Sequence, residues 1–477
     1  MFFSKRSSYL CLAIVALLLC ATLLITTMDT DDASLSDAMV IPVTASSDTT
    51  GPGDFSELVS GGANESNWFP IIAMDGDGDV HVVWYELDFS SGFKASILYR
   101  MKSGDSWMPI ETVMEDIGGM FVKPSMALDP SGNVHVTWES DRNLSGSGTD
   151  KDIYYKARTQ GEWTATELVS AESNESSSNP SIAVDGDGNV HIAWTDASGI
   201  PGTEGRDSVF YKMKTALGWT STRVIQSDAG SECKNAKLVV DAQGNVHITW
   251  IEIVVEDWVN HIKHRMKQSG HWGDVQTVRQ SDIEIGDFNG ILMGLESTGR
   301  LHLIWSEQDW QNNLDDPFTN KYHSMMDEGV WSTPELIPVG IYDVGPAFAI
   351  DRDDRLHLVI TGVPSDYEPD AQPAPIMNNI GYITYHGGFW SEYGFVDLDR
   401  MEERIITSIA VDDGRNVHLV WMDIPPGGGM VIDIRYAMID NSALYAPSPD
   451  GGTAVAVFVV FVAGLFVVSF VAMRLKG

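Results

Sequence analysis

Seven histidines recur along this chain: His81, His135, His191, His247, His302, His357 and His418. Six residues before each stands an acid: Asp75, Asp129, Asp185, Asp241, Glu296, Asp351 and Asp412. A histidine beside a carboxylate can ligate a metal or carry a proton. Repetition argues against both uses here. A catalytic group is needed once, and copies spread round a ring stand too far apart to share an ion. In a strand such as Val190-His191-Ile192-Ala193-Trp194, alternate side chains point to opposite faces. If both faces pack on neighbouring sheets, each histidine is buried. It is then expected to bond to backbone or to its turn carboxylate, because an unpaired buried polar group is costly.

Two of the acidic turns carry alternate oxygens, Asp75, Asp77 and Asp79 in the first copy and Asp185 and Asp187 in the third. Such spacing can begin a calcium loop. The twelfth position is Glu86 in one case and Asp196 in the other, and a histidine and apolar residues follow where ligands should stand. The turn reading is preferred, since these residues already suit a tight turn. No cofactor is expected, and calcium stays open.

A third set looks more like a site. Two residues past the tryptophan of the second strand stands an acid in five copies, Glu86, Asp196, Glu252, Glu307 and Asp423; the second copy has Glu139 and Asp141 nearby, and the sixth has neither the tryptophan nor the acid. The longest insertions, 308–320 and 363–379, contain Trp310, Phe318 and Tyr367. Carboxylates beside aromatics suit sugar stacking and hydroxyl recognition, or a basic protein patch. Glu86, Asp196, Glu252, Glu307, Asp423, Trp310 and Tyr367 are therefore the candidate ligand-binding residues. The competing reading is that the acids cap strand ends and face water.

The elements that must position these residues come from the repeat. One copy reads Pro180-Ser181-Ile182-Ala183-Val184-Asp185-Gly186-Asp187-Gly188-Asn189-Val190-His191-Ile192-Ala193-Trp194. Successive histidines lie 54, 56, 56, 55, 55 and 61 residues apart, a period that implies stacked or circular repeats. An apolar run, an Asp/Gly/Asn turn and a β-branched run spell a hairpin. An aromatic-rich run such as Ile153-Tyr154-Tyr155 follows, then a turn such as Gly161-Glu162-Trp163, then a short strand such as Glu167-Leu168-Val169-Ser170. That makes four antiparallel strands, one propeller blade.

Six tryptophan turns follow seven hairpins, so the seventh unit stops at its third strand, Ile434-Arg435-Tyr436. A spare fourth strand stands at the other end, where Glu57-Leu58-Val59-Ser60 matches Glu167-Leu168-Val169-Ser170. The expected fold is all-β, a seven-bladed propeller over 54–440, closed when residues 54–60 pair with the last blade. Closure removes the sheet edges an open array would expose. The blades are placed at about 67–113, 121–169, 178–225, 235–278, 288–337, 345–397 and 405–440.

The Gly-x-Trp third turn and the Asp-x-x-Gly-Asn-x-His-x-x-Trp first turn resemble the Asp-box repeats of sialidase-like propellers. The resemblance is at the level of the repeat. The third turn keeps Gly and Trp but mostly lacks the Asp. The arginine triad, Tyr/Glu pair and Asp that sialidases use do not map onto this sequence; Arg142, Arg206, Arg279 and Arg400 lie in loops without an identifying motif.

Charge and chain ends bound the rest. Acids outnumber bases 67 to 30 in 477 residues, a net charge of -37, which repels nucleic acid and excludes it as a partner. Residues 9–27 are apolar behind Lys5 and Arg6, so 1–30 reads as a signal peptide or retained anchor. Residues 454–473 are long enough to span a bilayer, with Arg474 and Lys476 behind them; 31–53 and 441–453 read as linkers and 474–477 as a cytoplasmic tail. The expectation is a membrane-anchored chain with its propeller outside the cell. Asn64, Asn143 and Asn174 fit the glycosylation pattern. Cys233 alone of the three cysteines falls in the propeller, so no internal disulfide is expected.

The function expected is a cell-surface binding or adhesion module for a glycan or a protein rather than an enzyme. The alternatives are an extracellular polysaccharide-acting enzyme, glycosidase or lyase, and a structural cell-envelope protein.

Overall fold

The structure is a computed structural model. It describes residues 39–41 and 56–440, apart from 62–64, 90–93, 119–121, 145–149, 201–202, 204–205, 257, 286–289, 309–319, 340, 365–378, 392–393, 397–402 and 425–430.

Seven antiparallel sheets follow one another along the chain. Blade three shows the pattern: Ser177–Val184, Val190–Asp196 and Ser208–Thr215 pair in order, then Gly218–Trp219 and Arg223–Gln226 run back along the third strand. The first strands of neighbouring blades touch in a closed cycle, from Glu65–Met74 of blade one round to Glu403–Val411 of blade seven. They are the innermost strands. Backbone N–H groups of Ile72, Ile182 and Leu238 donate to Ser408, Ser125 and Ser181 of the preceding blade, at 3.3, 3.4 and 3.1 Å.

The ring closes as the repeat requires. Glu57 and Leu58 pair antiparallel with Tyr436 and Arg435, and Val59 N donates to Ile434 O at 2.8 Å. A second N-terminal strand was not foreseen: Met39–Ile41 lies parallel beside Gly394–Val396 at the outer edge of blade six.

Each Asp/Gly turn is built by its first acid. Asp185 Oδ1 accepts from the backbone of Asp187 and Asn189 at 3.0 and 2.8 Å. Gly188 then takes φ +78°, which a side chain disfavours. Where the sequence lacks that glycine, Asp354 and Arg415 adopt φ +61° and +67° in its place.

The seven histidines are buried structural groups. His191 Nε2 faces Asp185 Oδ2 at 3.2 Å, and its Nδ1 faces the Tyr211 hydroxyl at 2.7 Å. Neutral imidazole can donate from Nε2 to the carboxylate and accept from the phenol at Nδ1. Burial holds all seven below the ordinary histidine range, so they stay uncharged. Blades four and five substitute His264 and His323 for the tyrosine, at 3.2 and 2.8 Å from His247 and His302.

Tryptophan turns fasten several blades to the one before. Trp107, Trp163 and Trp219 donate from Nε1 to Glu57, Glu111 and Glu167 on the preceding blade's last strand, at 2.6, 2.9 and 2.8 Å. Lys102, Arg158 and Lys214 bind the same three carboxylates.

The membrane placement drawn from the sequence is corrected here. Among the described residues no helix is long and apolar enough to cross a membrane, and the fold is built of strands. The expected segments 9–27 and 454–473 lie outside the described residues. Among the described residues no element carries the expected single-pass anchor, and the membrane-anchored, extracellular placement that rested on it loses that support.

Candidate functional site

The second strand of every blade runs from its Asp/Gly turn toward the opposite face, so the acid two residues past the tryptophan sits near the loop end of the blade. The sequence reading treats these acids as one set. The structure divides them.

Four are occupied by partners on their own blade or on the blade before it. Glu307 is buried and takes a two-pronged contact from Arg279, at 2.6 and 2.8 Å, plus the Trp305 Nε1–H at 3.0 Å. Asp196 is buried and accepts from Ser177 and Ser173, from the backbone of Ser198 at 2.7 Å, and from Trp194 Nε1 at 3.2 Å. Glu252 meets Lys263 at 3.2 Å and Gln226 at 3.1 Å. Asp423 meets Arg435 at 2.6 Å. These groups are buried at strand ends and hold neighbouring side chains and backbone there, rather than facing water. Glu139 joins them, bound to Lys151 at 2.7 Å and to the backbone of Asn179 at 2.8 Å.

Glu86 differs. Its tryptophan, Trp84, donates instead to Asn67 Oδ1 at 2.8 Å. Asn67 stands opposite Glu86 in the strand register and is itself fixed by its side-chain amide to Ile432 O at 2.9 Å. Glu86 is thereby cut off from the partner that its counterparts in blades three and five use. It hydrogen-bonds to Glu65, two residues before Asn67 on the same face of the first strand, and among the described residues no cation pairs with it. Burial, then the charge and hydrogen bond of Glu65, then the charge of Asp88, push its carboxyl up to about 7. Two carboxyl groups that share one proton behave this way. Glu65 was not singled out in the sequence; its place on the first strand, diagonal to Glu86, is the signal that only the register supplies.

The surroundings are strained. Phe69 follows on the same first strand at φ +55°, where the pairing slips between Trp68 and Ile71. A bulky residue at positive φ costs about 1–3 kcal/mol, and such strain gathers at working sites. The residue is held there by Met422 Sδ, 3.4 Å from its N–H, and by Lys123 of blade two, whose ammonium lies 5.2 Å from the ring centre. The site thus draws on blades seven, one and two. Asn179 and Asn235 repeat the slip in blades three and four at φ +53° and +52°.

A second acidic pair lies on the same face. Burial, then Glu232, raises the Asp207 carboxyl, while Lys234 opposes the shift.

Other expectations fall as follows. Trp310, Phe318 and Tyr367 lie outside the described residues. No cluster of exposed aromatics forms a binding face among the described residues, although Trp258 stands exposed. Asp75 and Asp185 spend their oxygens on turn amides and on His81 and His191; Asp77, Asp79 and Asp187 form the turns themselves. Among the described residues no group of three or more His, Cys, Asp or Glu side chains is placed to hold a metal. Asn143 and Asn174 are exposed, and Asn64 lies outside the described residues.

A scan against protein families finds no match, and no curated protein matches the sequence. Solved structures do share the fold. The polysaccharide lyase Uly1 superposes with a TM-score of 0.55 at 10% identity, over 84% of this chain and 96% of that one. A PL25 ulvan lyase bound to -[GlcA(1-4)Rha3S]- gives 0.54 at 11%, over 80% and 94%. The NanB sialidase of Streptococcus pneumoniae gives 0.45 at 9%, over 82% and 72%. The chain is thus a propeller of the architecture found in carbohydrate-active enzymes. This corrects the expectation of a non-enzyme, because the likeness is to enzyme scaffolds. At such identity it shows the fold alone.

Proposed function

We propose that the chain is a polysaccharide-cleaving enzyme, a lyase, with Glu86 and Glu65 as its proton-transfer pair. The observation that carries this is the release of Glu86: alone among the five repeat-position acids it faces a second carboxyl rather than a cation, an amide or an indole.

The pair suits elimination better than hydrolysis. Two-carboxylate hydrolysis needs the groups about 5–10 Å apart, with sugar or water between them. Hydrogen-bonded carboxyls are closer than that. Together they hold one proton, so one oxygen can accept while another donates. In elimination from a uronate-bearing chain, the ionised carboxylate takes the proton next to the sugar's carboxyl group. The bond from the ring to the leaving glycosidic oxygen breaks, a ring double bond forms, and the protonated partner delivers its proton to that oxygen. The pair ends with one proton, as it began. A carboxyl near 7 is matched to both duties at neutral pH. The shared fold of two polysaccharide lyases, Uly1 and the PL25 ulvan lyase, supports the scaffold.

The net charge of -37 repels an acidic polymer at long range, and salt screens that repulsion. Substrate affinity is therefore expected to rise with ionic strength.

The test is to incubate the full chain with uronate-containing and neutral polysaccharides, following unsaturated sugar by ultraviolet absorbance and new reducing ends by chemical assay. Glu86→Gln should lower the rate by about 10²–10⁴-fold. Reducing ends without unsaturation would replace elimination by hydrolysis. Turnover untouched by Glu86→Gln, or none on any substrate, would remove the assignment.

A further inference from the structure

The repeat supplies its own control for a second site, on the outer flank toward the tight-turn face. At three junctions a carboxylate fills a notch of constant build. Glu57, Glu111 and Glu167 each receive an indole N–H, from Trp107, Trp163 and Trp219, and a cation, from Lys102, Arg158 and Lys214. The floor is a tyrosine, Tyr436, Tyr99 or Tyr155, standing edge-on to the tryptophan at 5.5, 5.5 and 5.4 Å. The cation lies over that tyrosine at 5.6, 5.3 and 5.1 Å.

The junction of blades three and four keeps every wall of this notch. Trp272 stands edge-on to Tyr211 at 5.2 Å, and Lys267 lies over Tyr211 at 5.4 Å. Lys267 pairs with Trp272 in the same register as Lys214 with Trp219. The residue opposite Tyr211 on the last strand, where Glu167 stands opposite Tyr155, is Arg223. A second cation has replaced the carboxylate. No acceptor among the described residues takes the Trp272 Nε1–H, and neither Lys267 nor Arg223 has a carboxylate within ion-pair distance. Burial, then the charge of Arg223, lowers the half-buried Lys267 ammonium below its ordinary range; Arg223 itself is exposed at the mouth of the notch. Asp185 lies farther off and is engaged by Asn189 and His191.

We propose that the notch formed by Lys267, Trp272 and Arg223 binds a small carboxylate from solution, which takes the position that Glu57, Glu111 and Glu167 fill elsewhere. One carboxylate oxygen would accept from the indole and from Lys267, and the guanidinium of Arg223 would face the other. Charge-assisted bonds of this kind are the strong ones, and the site has the donors without the acceptor. It lies at the end of the blades opposite Glu86, and it stands or falls independently of the lyase assignment.

The test compares melting midpoints of the full chain in sodium acetate and in sodium chloride at equal ionic strength. Wild type should melt higher in acetate by on the order of 1–3 °C. Arg223→Glu rebuilds the internal carboxylate; it should raise the midpoint in chloride and lose the response to acetate. Lys267→Met should lose the response without that gain. An acetate response that persists in Arg223→Glu, or its absence from wild type, would overturn the site.

Discussion

Glu307 and Glu86 occupy the same position of the repeat and live in opposite surroundings. Glu307 is buried, faces a guanidinium at two points, and takes the indole hydrogen of its own blade's tryptophan. Glu86 is half-buried, has lost its indole to Asn67, and faces Glu65. One carboxylate is spent on holding a strand end; the other keeps a proton near neutral pH. The difference teaches that a repeated acid marks function only where the blade stops using it.

Four expected outcomes probe that contrast. Glu307→Ala leaves Arg279 and the Trp305 indole without their acceptor in a buried place, and should cost about 3–5 kcal/mol in urea or guanidinium unfolding. Glu86→Ala at pH 8 should cost far less, since it also removes a like-charge contact. Equal losses at the two positions would erase the distinction. Asn67→Ala strips Trp84 of its acceptor and should cost about 1–3 kcal/mol by the same measurement. A neutral result would mean that the indole finds Glu86 again, and the separation of that acid from its blade would be wrong.

The pH dependence is a finer probe. The folded-state pKa of Glu86 is raised from 4.5 to about 7, so between these values the folded chain holds more proton than the unfolded one. Stability from this group is therefore lost as pH rises through that window and is unaffected below it. The expected span, reduced because the group is only half-buried, is on the order of 1 kcal/mol. Subtracting the Glu86→Gln curve from wild type should isolate it, and a flat difference would deny the shared proton. The smallest effect concerns the fastening between blades: Glu167→Gln keeps one acceptor for Trp219 and loses the charge toward Lys214, for about 0.5–1 kcal/mol. A much larger loss would show that these fastenings, rather than the buried sheet faces, hold the ring.

Much of this was legible in the residue order. The Asp/Gly turns, the tryptophan turns and the spare strand at Glu57 are local patterns of spacing, and local patterns survive without coordinates. The burial of seven histidines followed from alternation along strands. Their second partners did not: Tyr99, Tyr211 or His323 comes within reach, diagonally across the pair, only once the third strand has taken its register. The loop acids were found as a set, but their separate fates depend on contacts between strands or blades, such as Arg279 with Glu307, which spacing cannot reveal. The expectation of a membrane anchor came from hydropathy at the ends, and no described element carries it.

The sequence by itself determined the number of blades, the strands within each and the way the ends meet. All of that is written as a period and one strand carried over from the last unit to the first, and hydrogen-bonded pairing of identical units leaves few other ways to close. The tertiary structure alone decided which repeat-position carboxylate faces a second carboxyl and which junction is left without a carboxylate. Both depend on what stands across a strand or a blade boundary, Asn67 in one case and Arg223 in the other, and nearness in folded space is not a property of sequence spacing.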